Sequence, residues 1–190
     1  MKLTRLMCMA LMGITIVNPK PTIAAPKRQN KHSIHKFTHL CQKKDSLPKP
    51  TKYTVKILLQ KAGTQNCDRA EKKLKKWQVL DLSSHNISDL SPLAQLTNLR
   101  ELYLSYNQIR DLSPLAQLTN LNFLFLESNQ IGDLSPLSQL TNLQWLFVGG
   151  NPINNKTCPV KPASICEFDT NTDDELLIED MEVIAQLPLN

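Results

Sequence analysis

Leucines and isoleucines in the middle of the chain fall on a strict repeat. From Val79 onward the same order of apolar and polar positions returns every 22 residues, without gaps. Leu80, Leu102, Leu124 and Leu146 form one column, and Leu82, Leu104, Leu126 and Val148 form a second. Ile87, Ile109, Ile131 and Ile153 form a third, and further columns begin at Leu90, Leu93, Leu96 and Leu99. Three full units start at Val79, Glu101 and Phe123, and a truncated fourth starts at Trp145. A period of this length is the mark of a solenoid, in which each coil buries its leucines only against its neighbours. Leucines two apart at the head of each unit predict a short strand with both side chains on one face. Stacking the coils buries each such leucine, worth about 1.5–3 kcal/mol apiece.

The polar positions are also periodic. Asn107, Asn129 and Asn151 sit in the turn after the strand, where a buried amide can serve backbone groups that no strand or helix satisfies. The first unit has His85 there, an expected departure at an edge coil. Ser91-Pro92, Ser113-Pro114 and Ser135-Pro136 predict a short helical turn on the convex side, with Ser as N-cap and Pro as first helical residue. Asp89, Asp111 and Asp133 stack just before these turns and suit their start electrostatically. Before the repeats, Val55, Leu58, Leu59 and Ala62 share one helical face that ends at Gly63. A second helix is expected over 68–76.

The unit L-x-L-x-x-N-x-I-x-D-L-S-P-L-x-x-L-T-N-L resembles the 22-residue class of leucine-rich repeats found in internalins and in exported bacterial, notably cyanobacterial, repeat proteins. TVKILLQKAGTQNCDRAEKKL, from Thr54, looks like their cysteine-bearing helical N-terminal cap. TCPVKPASICEF, from Thr157, looks like their C-terminal closure. The resemblance implies an α/β leucine-rich-repeat solenoid, with strands on a concave face, helical or 3-10 turns on a convex one, and a cap at each end. The repeat is specific for fold and poorly specific for function.

The expected organisation is a signal peptide at 1–24, a disordered basic tail at 25–36, a helical cap at 37–76 and repeats at 77–153. A C-terminal cap at 154–168 and an acidic tail or helix at 169–190 follow. The signal reading rests on Lys2 and Arg5, an apolar run from Leu6 to Val17, and small residues Thr22 and Ala24 before the cleavage point. Export leaves Cys41, Cys67, Cys158 and Cys166, an even set that suits disulfides. Two precede the repeats and two follow them, which favours Cys41–Cys67 and Cys158–Cys166. The net charge of +5 hides an asymmetry: residues 25–76 carry +12, residues 77–150 carry −4 and residues 151–190 carry −6. The basic front permits an alternative role, binding anionic polymers or surfaces. His32, His35 and His39 beside Cys41 have metal-like spacing, but they lie in or next to a tail, and Cys41 is expected in a disulfide.

Alternation along each strand places Val79, Glu101, Phe123 and Trp145 in one outward column and Asp81, Tyr103, Phe125 and Phe147 in the next. A third holds Ser83, Ser105, Glu127 and Gly149, and Tyr106 can add to the rim. Tyr103, Phe123, Phe125, Trp145 and Phe147 are half of the ten aromatics in the chain, gathered on one concave surface. Exposed apolar patches and aromatic anchors mark interaction sites, so an unknown protein or peptide is the expected partner. The competing expectation is that a C-terminal helix over 173–187, with Leu177, Met181 and Ile184 on one face, covers this surface.

Asp169, Asn171 and Asp173 match the first ligand positions of an EF-hand-type loop, and Asp180 stands at its last. A structural, envelope-associated, calcium-stabilised protein is therefore a second alternative, although Asp174 replaces the usual glycine. No Ser/His/Asp set, Gly-rich phosphate loop or paired carboxylates point to catalysis, so no enzyme activity and no cofactor are expected. Nucleic acid and membrane insertion after signal cleavage are not expected either. The expected state is a monomer in the periplasm or outside the cell.

Overall fold

The leucine columns become a parallel sheet because each coil returns the chain to the same edge, one strand further on. In the computed structural model, which describes residues 36–168, the strands are β1 (Val79–Asp81), β2 (Glu101–Tyr103), β3 (Phe123–Phe125), β4 (Trp145–Phe147) and β5 (Cys166–Glu167). They pair in sequence order, all parallel. Leu80, Leu102, Leu124 and Leu146 sit opposite one another in this register. All four are buried, with the Leu82 and Ile87 columns behind them, in one continuous core. Ile153, at the frayed end of its column, is only partly buried.

The convex side is made of 3-10 turns at Ser91–Leu93, Ser113–Gln117 and Ser135–Gln139. Their start differs from the expectation. Ser is the first helical residue rather than the N-cap, and Leu90, Leu112 and Leu134 hold the cap positions without a side-chain cap bond. The aspartates perform that task from one residue earlier. Asp89, Asp111 and Asp133 each accept the backbone N–H of the serine two residues on, at 2.8 Å. This is an Asx turn, which a short carboxylate forms more readily than a serine hydroxyl.

The asparagines lock coil to coil. Asn107 Oδ1 accepts from Ile87 N at 2.8 Å, while its Nδ2 donates to Leu82 O at 2.9 Å and Leu104 O at 2.8 Å. Asn129 and Asn151 repeat the pattern one coil on, receiving from Ile109 N and Ile131 N and donating to Leu104 O and Leu126 O. Each amide therefore reaches backward, into the coil before its own. The first coil has no predecessor of this kind, which explains His85: its ring bonds only within its own turn, to Ser83 O.

One residue before each asparagine position, the chain takes left-handed φ: 58° at Ser84, 59° at Tyr106, 53° at Ser128 and 68° at Gly150. This conformation turns the N–H of Ser84, Tyr106 and Ser128 toward a carbonyl of the next coil, at 2.9–3.0 Å. Only the last position is glycine, and there a Cβ would stand 3.2 Å from Ser128 Oγ.

The N-terminal cap holds three helices, α1 (Phe37–Gln42), α2 (Lys49–Lys61) and α3 (Cys67–Leu74). α2 buries Val55, Leu58 and Leu59 as the sequence pattern requires, and the helix gives way to Gly63 at φ 63°. α3 begins at Cys67 because Asn66 caps it, accepting from Arg69 N at 2.9 Å. α1 is shorter than the pattern can reveal, yet Phe37, Leu40 and Cys41 are buried in it. Thr51 and Thr54 of α2 hydrogen-bond to Asp89, Thr54 Oγ1 donating to its carbonyl at 2.8 Å, and so tie the cap to the first coil.

Disulfides Cys41–Cys67 and Cys158–Cys166 staple α1 to α3 and close the C-terminal loop. The loop does more than cover the last coil. It returns as β5, with Cys166 opposite Leu146 and Glu167 opposite Phe147. The signal segment at 1–24, the basic tail at 25–35, the calcium-loop candidates Asp169, Asn171, Asp173 and Asp180, and the 173–187 helix lie outside the described residues. Among the described residues no helix is long and apolar enough to cross a membrane, and no group of His, Cys, Asp and Glu is placed to hold a metal.

Candidate functional site

The strands present their odd-numbered residues on the concave face, so the site is a grid set by strand register. One line runs Asp81, Tyr103, Phe125, Phe147 and Glu167 across β1 to β5. A second runs Val79, Glu101, Phe123 and Trp145. Neighbouring strands stand about 4.8 Å apart, which is also a comfortable separation for offset stacked rings. Tyr103 and Phe125 accordingly stack with centroids 4.4 Å apart and planes within 5°, and Phe125 and Phe147 stack at 4.8 Å and 4°. Trp145 lies beside Phe147 at 6.0 Å and 10°. The structure thus brings four of the five aromatics into one ordered stack. Phe123 occupies its expected place in the register between Glu101 and Trp145, and no ring contact ties it to the stack.

Stacking changes how exposed these rings are. Tyr103, Phe123, Phe125 and Phe147 are half-buried rather than fully presented, whereas Trp145 is 44% exposed. The surface is a strip of ring edges and partial faces, with one open indole at the C-terminal end. Tyr106 is 65% exposed at the turn beyond the strand, consistent with a rim position.

Carboxylates frame the strip. Glu101 accepts the Tyr103 hydroxyl at 3.0 Å, and Glu127 accepts the Ser105 hydroxyl. Burial, reinforced by the bond to Glu101 and the charges of Glu101 and Asp81, pushes the Tyr103 hydroxyl up to about 12. Asp81 and Glu167 terminate the aromatic line at its two ends. Among the described residues, the outward strand positions hold Asp81, Glu101 and Glu167 and no lysine or arginine, and Glu127 follows two residues beyond β3. Lys76 and Arg100 line a different, polar groove with Gln78, Asn98 and Asn122. Glu167 was inaccessible to sequence reasoning, because β5 lies outside the repeat and its two residues have no apolar alternation.

Residues 97–139 match the model for Leucine Rich repeats (2 copies). The fold is a leucine-rich-repeat solenoid. Among solved structures, the chain is similar to an internalin (inlF) from Listeria monocytogenes, with 34% identity over 44% of this chain and 25% of that one, at a TM-score of 0.43. It is similar to internalin C2 from the same organism, with 34% identity over 53% of this chain and 54% of that one, at a TM-score of 0.44. The functional domain of InlJ from Listeria monocytogenes, which includes a cysteine ladder, gives 32% identity over 42% and 17% of the two chains, at a TM-score of 0.40. The chain therefore spans between 17% and 54% of these relatives. No match was found among curated proteins. A leucine-rich-repeat solenoid suits a protein-binding module.

Proposed function

We propose that the chain is an exported protein-binding module whose concave aromatic strip docks a protein or peptide. The observation that supports this best is the continuous stack from Tyr103 through Phe125 to Phe147, with Trp145 beside it and open to solvent. Large rings left partly in water across three adjacent strands form a contiguous apolar surface, and such surfaces serve as interfaces. Aromatic side chains also supply area at low entropic cost, because each has only two rotatable bonds to order. Export is supported by the two disulfides, which persist in oxidising compartments and are rare elsewhere.

The docking test is recovery of partners from the extracytoplasmic fraction of the source cells. Wild type should retain partners that Phe125→Ala and Trp145→Ala lose, with both variants folded by far-UV circular dichroism. Equal recovery by all three proteins would refute the reading. Export is tested by N-terminal sequencing of the native protein, which should begin at Ala25.

A further inference from the structure

The aromatic strip is not framed at random. Every charged side chain at an outward position on the described strands, and at Glu127 just beyond β3, is a carboxylate, and they flank the rings on both ends and along both sides. Asp81 and Glu167 close the ends of the Tyr103–Phe125–Phe147 line, while Glu101 and Glu127 lie in the columns on either side of it. Glu101, Glu127 and Glu167 are half-exposed and Asp81 is exposed, so their charges reach a docked chain. Among the described residues no Lys or Arg stands at these outward positions, and Lys161, which shares a hollow with Trp145, is a cation at the C-terminal end of the strip. A surface of this kind rewards a partner that places apolar side chains on the rings and positive charge around them. Lysine and arginine fit twice, since their stems pack along the apolar ring edges and the open indole of Trp145 while their heads meet the carboxylates.

Resting on the docking reading above, we propose that the strip's partner is a basic peptide segment, in which apolar residues alternate with lysine or arginine. The same charge pattern argues against residues 169–190 of this chain as the occupant. That stretch holds seven Asp and Glu and no Lys or Arg, and it would bring like charge to a face already acidic.

The probe is a displayed library of random 12-residue peptides, panned on the full chain and counter-selected on Phe125→Ala. The expected result is enrichment of Lys and Arg among apolar residues. An enriched peptide should bind the Asp81→Asn, Glu101→Gln, Glu127→Gln, Glu167→Gln variant roughly tenfold more weakly at low salt, with a flatter salt dependence. Enrichment of apolar peptides without basic bias, or binding indifferent to the four substitutions, would overturn the basic-partner proposal and leave docking on the rings intact. Absence of any Phe125-dependent enrichment would overturn both. Two alternative occupants have their own signatures, and either would also overturn the proposal. A second copy would give a sedimenting dimer lost in Trp145→Ala. The chain's own C-terminal stretch would shield Trp145 from acrylamide in the monomer, read as the difference between wild type and Trp145→Phe.

Discussion

Replacing Asn107 by alanine should be more damaging than the same change at Asn129, and the hydrogen bonds say why. Asn107 is 7% exposed and accepts from both Ile87 N and His85 N, while donating to Leu82 O and Leu104 O. Leu104 O would keep a donor, because Asn129 Nδ2 reaches it at 2.9 Å. Leu82 O would keep no side-chain donor, since His85 stands where the first coil's own asparagine would be. Two backbone groups in fully buried residues, Ile87 N–H and Leu82 O, are thereby orphaned. Each orphan costs about 1–3 kcal/mol, and the remaining lost bonds add a little, so Asn107→Ala should cost about 3–5 kcal/mol. Asn129→Ala orphans Ile109 N but leaves Leu104 O with Asn107 and Leu126 O with Asn151, so it should cost only about 1–3 kcal/mol. Urea unfolding followed by circular dichroism and tryptophan fluorescence measures both. An Asn129→Ala variant as unstable as Asn107→Ala would show that the double service of each carbonyl has no energetic meaning.

Three further outcomes follow from particular residues. Tyr103 should ionise near 12 rather than at the ordinary 10, seen in the difference titration at 295 nm between wild type and Tyr103→Phe, and Glu101→Gln should lower that midpoint. Because the folded value is raised, this contribution to stability is intact below pH 10 and is lost as pH climbs toward 12, so urea midpoints should fall across that window more in wild type than in Tyr103→Phe. Removing the Cys41–Cys67 bridge with paired serines frees a 26-residue separation and should cost about 3.5 kcal/mol, against about 2.5 kcal/mol for the 8-residue Cys158–Cys166 loop, by the chain-entropy relation; reversal of that order in urea midpoints counts against the argument. Tyr106→Gly should raise stability by about 0.5–1 kcal/mol, because a bulky residue at φ 59° carries a steric cost that glycine lacks; a lower urea midpoint would instead mean that the exposed ring contributes to packing.

Most of the solenoid was legible in the sequence because repetition multiplies a weak local signal. A three-residue strand such as Val79–Asp81 is invisible by propensity, yet four leucines in register make it unmistakable. The aromatic line was legible for the same reason, since strand alternation assigns Tyr103, Phe125 and Phe147 to one face. What lay outside the period was harder. α1 has only six residues, too few for a helical pattern, and β5 has two. Ser-Pro is a strong local signal for a helix start and points to a serine cap, while the deciding group, the aspartate carboxylate, acts from two residues away. The half-burial of the rings was also hidden, because alternation gives a side chain's direction and says nothing of how neighbouring rings lie on one another.

The two-residue length of β5 has a consequence for what this molecule can join. A stack of parallel coils is open-ended by construction, and its last strand offers unpaired backbone groups to any chain that can match them. β5 takes up that edge with a segment too short to template a further strand, and Cys166 holds it to Cys158 so that it cannot peel away. Among the described residues the sheet ends at β5, and a two-residue edge is a poor template for edge-to-edge pairing. On the docking reading proposed above, recognition falls to side chains on the concave face rather than to a backbone edge.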